Sequence, residues 1–150
     1  MYKHILVPTD GSELSRKAIS QAIALAKLAN AKVTGIIDSR SWEAVLAGHV
    51  AALIERDEYE KRAAANAEEC LAFITEAAKS AGVPCDVIHT TVGHPYKAII
   101  DTARSRNCDL IVMASHGWRG LTAMLIGSET KKVLTSSSPR MKAHARTSQG

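Results

Sequence analysis

Short apolar runs alternate along this chain with stretches whose apolar positions recur at helical spacing. Lys3–Pro8 (KHILVP), Lys32–Asp38 (KVTGIID), Cys85–Val92 (CDVIHTTV) and Asp109–Met113 (DLIVM) have the length and composition of strands. After the first run, Leu14, Ala18, Ile19, Ala22, Ile23, Ala26 and Ala29 fall on one face of a helix over Glu13–Ala29. Asp10-x-x-Glu13 resembles a capping box for its start. An alanine- and glutamate-rich helix is predicted from about Ile54 to Ala81, stopped by Gly82 and Pro84. Gly93-His94-Pro95 starts another over Tyr96–Arg106, and Ser128–Leu134 reads as a short final helix. Ser39–Leu53 is harder to place, although Trp42, Val45, Leu46, Val50 and Leu53 can share one helical face.

Strands that alternate with helices pair in parallel through right-handed crossovers, with helices on both faces of an open sheet. Ligands in such sheets sit beyond the carboxyl ends of the strands, where the strand order reverses. If the first and fourth strands are neighbours there, Pro8-Thr9-Asp10 faces Ala114–Gly117 across the crevice.

Composition narrows the classes. At 150 residues, 46% hydrophobic and 23% charged, the chain reads as one ordinary globular domain. The opening MYKHILVPTDGS meets Pro8 and Asp10 too soon for a signal peptide, and no apolar run approaches the roughly 18 residues of a membrane span. A cytoplasmic protein without a membrane partner is expected. Cys70, Cys85 and Cys108 are scattered and odd in number, so reduced, buried thiols are expected rather than disulfides or a zinc site. The net charge of +4 sits in the tail: Arg140, Lys142 and Arg146 have no acid among the last fifteen residues, leaving sixteen bases against fifteen acids elsewhere. With 4% aromatics there is little to stack on bases, so a nucleic-acid partner is not expected.

The candidate chemistry lies in Asp109–Ser128. The apolar run breaks into Ala114-Ser115-His116-Gly117, and nine residues later comes Gly127-Ser128 at a helix start. Small residues in those two places bring backbone N–H groups toward one anion, which is how α/β proteins hold phosphate. Gly127-Ser128 is also simply a good N-cap, and a cap hydroxyl can bond phosphate as well. Asp10 either caps the first helix or contacts a ligand, where a carboxylate suits ribose hydroxyls or an adenine edge. Ile36 can border a base or pack in the core. Trp118 and Arg119 lie in the loop, where Arg119 either reaches phosphate or is exposed decoration; Lys131 and Lys132 can add charge nearby, although a solvated helix face is the stronger reading for them. Ser115 and His116 are adjacent at a strand end and point to opposite faces, so they make no catalytic dyad. No metal-ligand cluster, G-x-x-x-x-G-K-[ST] or G-x-G-x-x-G after the first strand occurs.

At these residues the chain resembles the small, single-domain universal stress proteins. The resemblance covers about residues 2–139. It rests on the family's G-x-x-G-x9-G-[ST] signature, here Ala114-Ser115-His116-Gly117-(WRGLTAMLI)-Gly127-Ser128. Ile5–Ser12 (ILVPTDGS), Gly35–Asp38 (GIID), Val92–Pro95 (VGHP) and CDLIVMASHG support it in order. The resemblance implies an adenine nucleotide alpha hydrolase-like α/β fold with strand order 3-2-1-4-5 and ATP in the crevice. It implies that Pro8, Thr9, Asp10 and Ile36 contact adenine and ribose. Met113, Ala114, Ser115, His116, Gly117, Trp118 and Arg119 would wrap ribose and phosphates, and Gly127, Ser128 and Glu129 would complete the phosphate site.

The chain departs from that pattern twice. Ala114 replaces the first glycine, which is harmless at φ < 0 and straining at φ > 0. Residues 140–150 form an atypical basic tail where an apolar edge strand, often used for dimerisation, belongs; alanines at 143 and 145 have low strand propensity. The fifth strand is therefore expected to be absent or poorly formed, leaving the fourth as an exposed edge; a homo-oligomer is still expected, with the usual edge-strand homodimer in doubt. The expected function is ATP binding with a regulatory stress-response role, Mg²⁺ or Mn²⁺ entering with the nucleotide, and no catalytic residue. The alternatives are a non-nucleotide self-association or docking module of the same fold, and a slow ATP hydrolase.

Overall fold

The computed structural model describes residues 2–47, 55–114 and 142–144. Nine elements follow one another: β1 (His4–Pro8), α1 (Glu13–Ala29), β2 (Lys32–Asp38), α2 (Trp42–Ala47), α3 (Arg56–Ala81), β3 (Cys85–Thr90), α4 (Pro95–Ser105), β4 (Leu110–Val112) and β5 (Lys142–His144). They form one parallel sheet in the order β3-β2-β1-β4-β5.

The two-residue period of a strand sorts the core onto two faces. Ile5 and Val7, Val33 and Ile37, and Leu110 and Val112 point toward one side. There they meet Ala18, Ile19, Ala22 and Ile23 of α1 and Ala67, Leu71, Ile74 and Ala78 of α3. Leu6, Ile36 and Ile111 point the other way, onto Ala98, Ile99 and Ala103 of α4. Each fully buried Val, Leu or Ile contributes about 1.5–3 kcal/mol from leaving water. Alanines on α1 and α3 bring those helices close, and Gly35 goes further. A Cβ built there would lie 2.6 Å from Ile74 Cδ1, so β2 and α3 touch only because that side chain is missing.

Helix ends follow local chemistry. Ser12, not Asp10, is the N-cap of α1, its hydroxyl accepting from the Ser15 N–H at 3.2 Å. The expected capping box is thus corrected: Asp10 Oδ1 accepts from the Ser12 N–H at 2.9 Å and shapes the turn before the helix. Asn30 and Gly82 close α1 and α3 in the left-handed conformation. In the unplaced stretch, Trp42–Ala47 is helical, with none of its residues buried; the rest of that apolar face, Val50 and Leu53, lies outside the described residues. The strand expected to reach Val92 ends at Thr90, because the Val92 N–H turns to Asp38 Oδ1 at 2.8 Å and Gly93 takes φ +78°. Cys70 and Cys108 are buried as expected, but Cys85 on edge strand β3 is only half-buried. Burial pushes the Cys108 thiol up to about 12.

A fifth strand is present in the tail, three residues long. Lys142–His144 pairs in parallel with β4, in the register Leu110↔Lys142, Ile111↔Ala143, Val112↔His144. An apolar strand with unpaired N–H and C=O groups recruits a partner whose own side chains favour strand only weakly. β4 is consequently interior rather than an exposed edge. The helix expected over Ser128–Leu134 lies outside the described residues.

Candidate functional site

The order β3-β2-β1-β4-β5 reverses between β1 and β4, so their carboxyl ends flank the crevice where such sheets take ligands. β1 delivers Pro8, Thr9 and Asp10 there. The Thr9 N–H donates to Ile36 C=O at 2.9 Å, which extends the β1–β2 ladder past the strand end and fixes the loop's departure. Thr9 is buried; its Oγ1 lies 3.0 Å from Ser15 Oγ on α1 and accepts from the Gly11 N–H at 3.1 Å. Gly11 has φ +82°, and a Cβ there would stand 2.7 Å from Cys70 Sγ on α3. Both the turn and the close approach require glycine. The loop is therefore held rigidly on three sides while Asp10 remains exposed at its tip.

Pro8, Thr9, Asp10 and Ile36 come together in one cleft of about 80 Å³, closed by Asp38 and by Pro95, Ala98 and Ile99 of α4. Ile36 is 2% exposed in the core and also forms a wall of the cleft. Ligand pockets are usually about 300–1,000 Å³. A cleft this narrow can take an edge of a base or sugar, with the rest of the molecule outside it.

On the other side of β1, Met113 and Ala114 follow β4 directly. Met113 packs half-buried against the α4-side core, beside Leu6, Ile36 and Ile111. Ala114 is 8% exposed and belongs to the core shared with α1 and α3. It is not among the described non-glycine residues with positive φ, which are Asn30 and Asn107. The backbone at this first signature position accepts alanine without strain, and the extra methyl is absorbed by the core. Ser115, His116, Gly117, Trp118, Arg119, Gly127, Ser128 and Glu129 lie outside the described residues, as do Lys131 and Lys132.

Asp38, the last residue of β2, was not singled out from the sequence, although the GIID match contained it. Its Oδ1 accepts from Thr90 Oγ1 at 2.7 Å and from the Val92 N–H at 2.8 Å, pinning the ends of β2 and β3 together. Its Oδ2 is buried without a hydrogen-bond partner among the described residues. Beyond Asp38, Ser39 Oγ lies 2.8 Å from His89 Nε2. A second space of about 430 Å³ opens on the α3 side, and Asp10 and Asp38 line it as well. The signal that could have identified Asp38 is its place: a polar residue ending an otherwise apolar strand at the carboxyl edge of the sheet.

Comparison with known proteins identifies the family and the fold. Residues 1–139 match the model of the universal stress protein family. A universal stress protein of Methanocaldococcus jannaschii is 33% identical over 147 residues, covering 89% of this chain and 76% of the relative. Among solved structures, a universal stress protein in complex with cAMP superposes with a TM-score of 0.61 at 22% identity, covering 95% of each chain. The universal stress protein of Archaeoglobus fulgidus in complex with dAMP gives 0.65 at 17% identity, covering 95% of this chain and 97% of that one. The expected α/β fold with a parallel sheet is therefore borne out. This chain belongs to the universal stress protein family.

Proposed function

We propose that this chain binds an adenine nucleotide, with ATP as the physiological ligand, and uses it as a regulatory signal in a stress response. One observation carries the reading: Pro8, Thr9, Asp10 and Ile36, chosen for base and ribose contacts, meet in a single cleft at the carboxyl ends of β1 and β2. β4 runs beside β1 and brings Met113 and Ala114 to the same end of the sheet. The relatives solved with cAMP and dAMP favour the same ligand class.

In this reading the apolar walls made by Pro8, Ile36 and Ile99 hold an edge of the nucleoside. The Asp10 carboxylate, oriented by the Ser12 N–H, accepts from ribose hydroxyls or the base. Main-chain N–H groups of Ser115–Arg119 and Gly127–Glu129, with the Ser128 hydroxyl, take the phosphates. Mg²⁺ or Mn²⁺ enters on the phosphates. No residue is assigned to activating water, so turnover is slow or absent.

Nucleotide analysis of freshly purified protein, followed by calorimetric titration with ATP, tests the ligand. Bound adenine nucleotide or saturable binding is the expected result; neither would overturn the assignment. Gly127→Val should abolish binding while leaving the circular dichroism spectrum unchanged. Unaltered affinity in that variant would remove the phosphate half of the site.

A further inference from the structure

A groove of about 430 Å³, large enough for a ligand, lies against the cleft on the α3 side and shares Asp10 and Asp38 with it. Its other polar lining is Ser39, Arg40, Tyr59, Arg62 and Asn66. The wall across from α3 is built rather than incidental. The Tyr59 hydroxyl donates to Arg40 C=O at 2.6 Å, the rings of Trp42 and Tyr59 lie 5.7 Å apart, and Arg56 pairs with Glu43 at 3.4 Å. These contacts clip the segment after β2 onto the first turns of α3. Charge is distributed unevenly along it. Asp10 and Asp38 line both the groove and the cleft, whereas Arg40 and Arg62 line the groove alone. Arg62 shares its charge with Glu58 at 2.9 Å, whereas Arg40 has no carboxylate partner among the described residues.

We infer that this groove is a second subsite, which takes an anionic group carried by the ligand whose nucleoside occupies the cleft. The inference rests on the nucleotide reading above and specifies a ligand class within it. A ligand crossing from cleft to groove passes the two carboxylates with its hydrogen-bond donors, such as ribose hydroxyls. A phosphate or carboxylate attached beyond them reaches Arg40 and Arg62, where planar guanidinium groups bind such anions through charge-assisted hydrogen bonds. An adenosine derivative with a second, separate anionic group therefore gains a contact that AMP does not reach, in addition to the nucleoside contacts proposed above for ATP.

Calorimetry with AMP, adenosine 2′,5′-bisphosphate and adenosine 3′,5′-bisphosphate decides the matter. At least one bisphosphate should bind the intact protein roughly tenfold more tightly than AMP, the scale of a charge-assisted contact. The double variant Arg40→Ala/Arg62→Ala should erase that advantage and leave AMP affinity unchanged; both side chains are exposed, so the fold should be retained. Glu58→Gln, which frees Arg62, should widen it. AMP binding with no bisphosphate advantage, or an advantage that survives in the double variant, would overturn the subsite alone. Failure of all three ligands to bind would instead overturn the nucleotide reading, and the subsite with it.

Discussion

The two ends of the same sheet treat polar groups in opposite ways. At the amino end, His4 and Thr34 are buried, 5% and 0% exposed, and they satisfy each other: His4 Nε2 lies 2.7 Å from Thr34 Oγ1. His4 Nδ1 lies 2.9 Å from Arg106 C=O. A carbonyl only accepts, so Nδ1 carries the proton and Nε2 accepts from the Thr34 hydroxyl. Asp109 completes the closure, its carboxylate accepting from the N–H groups of Lys3 at 2.9 Å and His4 at 3.0 Å. At the carboxyl end, Asp10 is exposed, one oxygen of Asp38 is buried without a partner among the described residues, and two open spaces adjoin them. An unpaired buried oxygen is destabilising by about 1–3 kcal/mol. Among the described residues, the amino end pairs its polar side chains across strands, while the carboxyl end combines the Asp38 tie between β2 and β3 with an exposed Asp10.

Breaking the amino end should have the larger effect. His4→Ala removes a buried ring and strands the Thr34 hydroxyl, so stability should fall by about 2–4 kcal/mol in urea denaturation. Nucleotide affinity should hardly change, because the lesion lies at the far end of β1. A parallel loss of affinity in folded protein would show that the two ends are not separable. Asp10→Ala is the converse. It should weaken nucleotide binding about tenfold, or about 1.4 kcal/mol, by calorimetry. Its stability loss should be smaller than that of His4→Ala, because the Asp10 side chain is exposed.

The smallest effect sharpens the contrast through pH. Burial pushes the His4 pKa below its ordinary 6.5, with the Arg106 carbonyl opposing and Lys32 adding to the shift. The unfolded chain therefore binds more protons than the folded one between the two values. Stability should be level above about pH 6.5 and should decline as pH falls through that value toward the folded pKa. His4→Gln should flatten this segment of a stability profile measured from about pH 8 to pH 5. A slope unchanged by the substitution would place its origin elsewhere.

Much of the frame was legible in the residues. β2 and α1 occupy the spans read from apolar runs and helical spacing, and β1 and α4 shift by a single residue at their ends. The base-side candidates Pro8, Thr9, Asp10 and Ile36 do meet. What failed depended on competition between partners. Asp10 and Ser12 both suit an N-cap, and only the path of the turn chose Ser12. Residues 142–144 carry weak strand propensity, yet the ladder offered by β4 overrides it.

By itself the sequence determined the alternation of strand and helix, the two core faces and the positions of the loops, because periodicity and turn chemistry are local properties. Only the tertiary structure decided that Gly11 leaves no room beside Cys70, that Ala114 directs its methyl into the core, and that Asp38 stands between a cleft and a groove. Those facts depend on elements far apart in the chain packing at a few ångströms, a distance at which one methyl group decides the fit.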